Sequence, residues 1–101
     1  MARQLKDDKW LIIIGDPMEF AAIGMGAPIE FVGRIIICDN CNAECNAGDV
    51  YYIPVLNRVF CQDCFDEWHK TATYYPEDAP YERRYFNSIK KVLEDSGLWE
   101  E

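Results

Sequence analysis

The chain has 101 residues, 50% hydrophobic and 14% aromatic, which suffices for one modest core and is too apolar for intrinsic disorder. Its 10 basic and 18 acidic side chains leave a net charge of −8. That balance argues against a grip on nucleic-acid phosphates or an anionic membrane and favours a basic protein partner.

No apolar run approaches the roughly 20 residues of a membrane-spanning helix. The N-terminal residues carry Asp7-Asp8 where a signal peptide needs an apolar stretch, so the sequence reads as a soluble cytoplasmic protein. In chain order, Trp10-Leu11-Ile12-Ile13-Ile14 is rich in β-branched residues and predicts a strand ending at the turn signal Gly15-Asp16-Pro17. Glu19 to Ile23 predicts a weaker strand, Gly24 to Pro28 a break, and Ile29 to Cys38 a third strand. Val50 to Pro54 and Arg58 to Phe60 predict a β-hairpin around Leu56-Asn57. Gln62 to Thr73 predicts a helix with Phe65, Trp68 and Ala72 on one face. Tyr75 to Pro80 interrupts it, and a second helix runs to about Asp95, with Gly97 as its C-cap signal. Tyr81, Tyr85, Ile89, Val92 and Leu93 form its predicted core stripe, and Phe86 lies off that stripe as an exposed contact. The expected architecture is α+β in a single domain over 1–101: a β-rich part over 1–37, a knuckle–hairpin–helix over 38–75 and a C-terminal helix over 76–101.

Cys38-Asp39-Asn40-Cys41 and Cys61-Gln62-Asp63-Cys64 are two C-x2-C hooks, a strong zinc signature. The two-residue spacer lets both thiolates of a hook turn toward one ion about 2.3 Å away, and two hooks complete a tetrahedron. The second hook opens the predicted helix, where N-terminal amides favour thiolate charge. Cys38, Cys41, Cys61 and Cys64 are therefore the expected ligands of one structural Zn2+. An iron–sulfur cluster accepts the same four thiolates; a disulfide framework would favour an even cysteine count, and the chain has 5. Cys45 is the spare, and His69 reads as a surface helix residue. Knuckle, hairpin, then a helix bearing the last two ligands resembles LIM-like and related treble-clef zinc modules over Cys38 to Trp68. The chain has too few ligands for the second zinc module of a full LIM domain.

Catalytic patterns are missing. Four Cys close the metal site to water, Gly24-x-Gly26 is a fragment of a phosphate loop, and no carboxylates pair as acid and base. The sequence thus reads as a binding protein without a small-molecule substrate. Small, acidic and zinc-bearing, its profile resembles the phage-encoded anti-CRISPR proteins that inhibit type II-A Cas9. That resemblance implies a protein whose carboxylates occupy a basic surface of Cas9 and block nucleic-acid loading. The contacts it implies are Glu77, Asp78, Glu82, Phe86, Glu94 and Asp95. The alternatives are a zinc-finger adaptor for another host protein and a treble clef that touches nucleic acid.

Overall fold

The computed structural model describes residues 2–16, 20, 36–41, 44–45 and 49–100, with the backbone alone for 36–37 and 44–45. The fold is α+β. Strands β1 (Arg3–Leu5), β2 (Ile12–Gly15), β5 (Val50–Ile53) and β6 (Arg58–Phe60) make one antiparallel sheet in the order β1-β2-β5-β6. Between β2 and β5 in the chain, β3 (Ile36–Ile37) and β4 (Glu44–Cys45) form a separate antiparallel pair. Helix α1 (Gln62–Thr71), a 3-10 turn (Pro76–Asp78) and helix α2 (Ala79–Asp95) complete the chain.

Pairing register fixes the two faces of the sheet. Ile14, Tyr51 and Phe60 are successive partners, as are Ile13, Tyr52 and Val59, so each trio shares a side. All four residues of β2 are buried, so both sides are covered there. Phe65 of α1 stacks on Tyr51 with ring centroids 4.3 Å apart and planes 6° from parallel, which seats α1 on the first side. Helix α2 packs against β2, and its Tyr85 comes near the buried Tyr52.

Two local devices hold the ends. Gly97 (φ 72°) follows α2 in the left-handed region, its amide donating to the Glu94 carbonyl and that of Leu98 to Leu93, a Schellman closure. Leu98 to Glu100 then return to β1, where the Ala2 amide donates to Leu98 and the Glu100 amide to Ala2. In the hairpin turn Asn57 takes a positive φ of 53°, and its Oδ1 accepts from the buried Tyr52 hydroxyl at 2.7 Å. Gly15 is the last residue of β2. A Cβ there would lie 3.1 Å from that of Ala2 and 3.2 Å from the Phe20 ring, tighter than ordinary contact.

Several expectations need correction. Of Glu19–Ile23, expected as a strand, only Phe20 is described, and its amide bonds back to the Asp16 carbonyl in helical fashion. Of the expected strand Ile29–Cys38, residues 29–35 lie outside the described residues, and Ile36–Ile37 are strand. The short strands β1 and β4 were not expected. On α2 the buried residues are Glu82, Phe86 and Leu93, with Ile89 half-buried, whereas Tyr81, Tyr85 and Val92 are exposed. At 3.6 residues per turn, the core-facing stripe lies roughly 60° around the helix from the expected one. Phe86 is therefore core, with Trp99 edge-on to it, and Glu82 is not available as a surface contact.

Candidate metal centre

Four elements converge on the cysteines. Cys38 follows β3 directly and begins a turn that reaches Cys41. Cys61 follows β6 and is the N-cap of α1, and Cys64 sits in the first helical turn. The four Sγ atoms all lie within 4.8 Å of one another. A tetrahedron with metal–sulfur bonds of about 2.3 Å has edges of about 3.8 Å. The Cys41–Cys61 sulfur separation, which spans the two hooks, is 3.8 Å. The residues fit a tetrahedral four-thiolate site: this edge has the ideal length, and no edge exceeds it by more than about 1 Å. Cys38 is wholly buried, Cys41 exposed and the other two half-buried, so one side of the site faces the core and one the surface.

Electrostatics divides the four. Burial pushes the Cys38 thiol up, but amides of Cys41, Cys61 and Asn40 outweigh it and bring the thiol down to about 7. The Asn40 amide lies 3.4 Å from that sulfur. For Cys61, burial dominates and raises the thiol, although the Cys64 amide favours its charge. Asn40 works to lower Cys64; burial and the sulfurs of Cys61, Cys41 and Cys38 overcome it and push the thiol up to about 12. One thiolate thus forms readily and the last resists, because like charges crowd one spot. A dication relieves that crowding, so four sulfurs so close together have the chemistry of a metal-ligand set.

A clip outside the ligands positions the first hook. The Asp39 amide donates to the Val59 carbonyl at 2.8 Å, and the Val59 amide donates to Asp39 Oδ2 at 2.8 Å. This reciprocal pair ties the knuckle to β6 two residues before Cys61. The Asp39 carboxylate reaches a backbone amide 20 positions away, so nothing near it in the chain marks this role.

His69 stands outside the sulfur cluster and meets Asp7 Oδ2 at 2.6 Å. Burial works to raise the Asp7 carboxyl, but the Lys9 and Trp10 amides and His69 outweigh it and hold it below the usual range. Asp7 therefore binds the β1–β2 loop to α1, a link across 62 residues with no signal in the sequence. Cys45 pairs with Ile36 through the β3–β4 backbone.

The expected partner contacts separate by position. Glu77, Glu94 and Asp95 are exposed and Asp78 is half-buried. Glu82 is buried, and its Oε2 accepts from the Leu11 amide at 2.9 Å. Asp95 is paired with Lys91 at 3.6 Å. Around α2, Arg83, Arg84 and Lys91 are exposed beside only two exposed carboxylates, Glu94 and Asp95, so this helix is not the acidic face. At the metal end, Asp39 of the knuckle and Asp63, Asp66 and Glu67 of α1 are all exposed.

No helix among the described residues is long and apolar enough to cross a membrane. No protein-family model, no curated protein and no solved structure matches the chain.

Proposed function

We propose that the chain is a zinc-stapled, non-catalytic binding protein whose acidic surface takes a basic protein partner. The observation that carries this reading is the closed set of four sulfurs, Cys38, Cys41, Cys61 and Cys64, gathered within 4.8 Å. These thiolates would hold one Zn2+, which supplies a crosslink between knuckle and helix. Four protein ligands leave no position for a reacting water, which supports a binding role over hydrolysis. The net charge of −8 and the exposed carboxylates at the metal end support a basic partner. Glu77, Asp78, Glu94 and Asp95 remain contacts in this reading, now joined by Asp39, Asp63, Asp66 and Glu67. The finer reading is a phage-encoded inhibitor of type II-A Cas9 that blocks nucleic-acid loading; its support is the profile of size, acidity and four-cysteine chemistry.

The test joins metal analysis to affinity capture. Protein purified without added metal is expected to carry one zinc per chain. A folded protein with iron, or with no metal, overturns the zinc assignment. Cas9 offered as bait is expected to retain the chain at low salt and release it as salt rises. Absence of a complex overturns the Cas9 reading, and a salt-independent complex overturns the electrostatic one. A gel shift with random DNA or RNA would instead favour the nucleic-acid treble clef.

A further inference from the structure

A groove of about 200 Å³ runs between the end of α1, the β5–β6 turn and the 3-10 turn, lined chiefly by Trp10, Val55, Leu56, Trp68, Tyr75 and Asp78. That volume is below the roughly 300–1,000 Å³ of small-molecule sites, so it suits one side chain rather than a cofactor. Two of its walls are indoles, with Trp10 and Trp68 centroids 4.8 Å apart, and Tyr75 stands 53% exposed at the rim. Asp78 supplies the charge. The backbone stays helical from the 3-10 turn into α2, so the Asp78 carboxylate makes no capping hydrogen bond. Among the described residues it forms no ion pair either. A neighbouring cleft shares Trp10 and Ala72 and brings Asp7, Asp8, Lys9 and His69 alongside; of these, His69 is already held by Asp7.

A half-buried, unpaired carboxylate among aromatic walls is complementary to a flat cation. A guanidinium stacks on aromatic rings and offers its in-plane N–H groups to a carboxylate, and it sheds water more easily than an ammonium. An apolar or anionic occupant would desolvate Asp78 and leave it without a partner. We propose that this groove receives an arginine side chain from an extended segment of a basic protein partner. The proposal rests on the basic-partner reading above and narrows it to one place and one side chain.

The test follows the indole N–H resonances of the zinc-loaded full chain while tetra-arginine, tetra-lysine and tetra-glutamate peptides are titrated in. Tetra-arginine is expected to move the Trp10 and Trp68 signals and leave Trp99, which lies beneath Lys90 at 5.6 Å, in place. Tetra-lysine is expected to bind more weakly and tetra-glutamate not at all. Asp78→Asn and Tyr75→Ala are each expected to weaken tetra-arginine binding about three- to tenfold. Asp49→Asn, an exposed carboxylate at the opposite end of β5 from the groove, is expected to leave it unchanged. Absence of binding overturns the proposal. So does equal weakening by Asp78→Asn and Asp49→Asn, or movement of Trp99 in step with the other two, since either marks diffuse charge attraction. A basic partner protein captured equally by Asp78→Asn and wild type overturns the groove alone, whereas failure to capture any basic protein overturns the underlying reading.

Discussion

Glu82 is only 4% exposed, and one hydrogen bond, from the Leu11 amide, anchors it. Burial raises its carboxyl above the usual value of 4.5, against the lowering pull of Leu11 and Arg83. A raised folded pKa means that the native state holds the proton more tightly than the unfolded chain. This group's contribution to stability is then complete below the unfolded value and is lost as pH rises through the folded one. Glu82→Gln keeps a carbonyl for Leu11 and carries no charge. As pH rises above the usual carboxyl value of 4.5, Glu82→Gln is therefore expected to gain stability relative to wild type, measured by urea unfolding of both zinc-loaded proteins at each pH. Parallel curves would show that the charge of Glu82 is not linked to folding. Glu82→Ala removes the acceptor and is expected to cost about 1–3 kcal/mol, because it leaves the Leu11 amide unpaired. Carboxylates are almost never fully buried without a partner. The partner here is a backbone amide 71 positions away, so nothing near Glu82 in the chain marks it as a core residue.

At the scale of elements, the local signals were readable and the distant pairings were not. The hairpin and α1 follow their sequence cues closely: Arg58–Phe60 matches its expected bounds, and α1 starts at Gln62 as the second hook implies. The cysteine hooks were legible because two-residue spacing and thiolate chemistry are local facts. The face of α2 was not. Its apolar arc runs from Tyr81 past Ile89 to Phe86, wider than the sheet can cover, and contacts with β2 and Trp99 select which part is buried. Strand β1 escaped notice because two of its three residues are exposed and its order comes from pairing with β2. The Asp39 clip is likewise a property of two elements together. Outer-shell partners of metal ligands commonly set affinity by 10–100-fold. Asp39→Ala is therefore expected to weaken zinc binding by about tenfold or more, read by competition with a chromophoric chelator. Asp39→Asn keeps an acceptor for the Val59 amide and is expected to recover most of the loss. Equal affinity in wild type and Asp39→Ala would show that the knuckle holds its shape unaided.

At the scale of the whole molecule, metal and core cannot be separated. One contiguous cluster of buried residues joins Ala2, Ile12 and Ile13 of β2, Cys38, Tyr52, Phe65, Phe86 and Leu93. Cys38 is both a proposed ligand and a fully buried member of that cluster. The apparent binding energy of a structural zinc site is about 10–16 kcal/mol, comparable with the roughly 5–15 kcal/mol stability of an entire domain. Four thiolates and one Zn2+ would also carry the net charge from −8 to about −10, so the ion fixes shape while leaving the protein more acidic for a basic partner. Metal loss should then not melt the knuckle alone. Chelation at neutral pH is expected to abolish or sharply lower the thermal transition seen by far-ultraviolet circular dichroism. The near-ultraviolet signal of the Trp10–Trp68–Tyr74 cluster should disappear in the same step, because Trp68 lies on the helix that Cys61 begins. Acid should have the same effect, since protonating the thiolates releases the ion. Loss of the metal with an unchanged transition would mean that the core alone carries the fold. Two separate transitions would mean that the metal end and the α2 end unfold independently, against the continuity of the buried cluster.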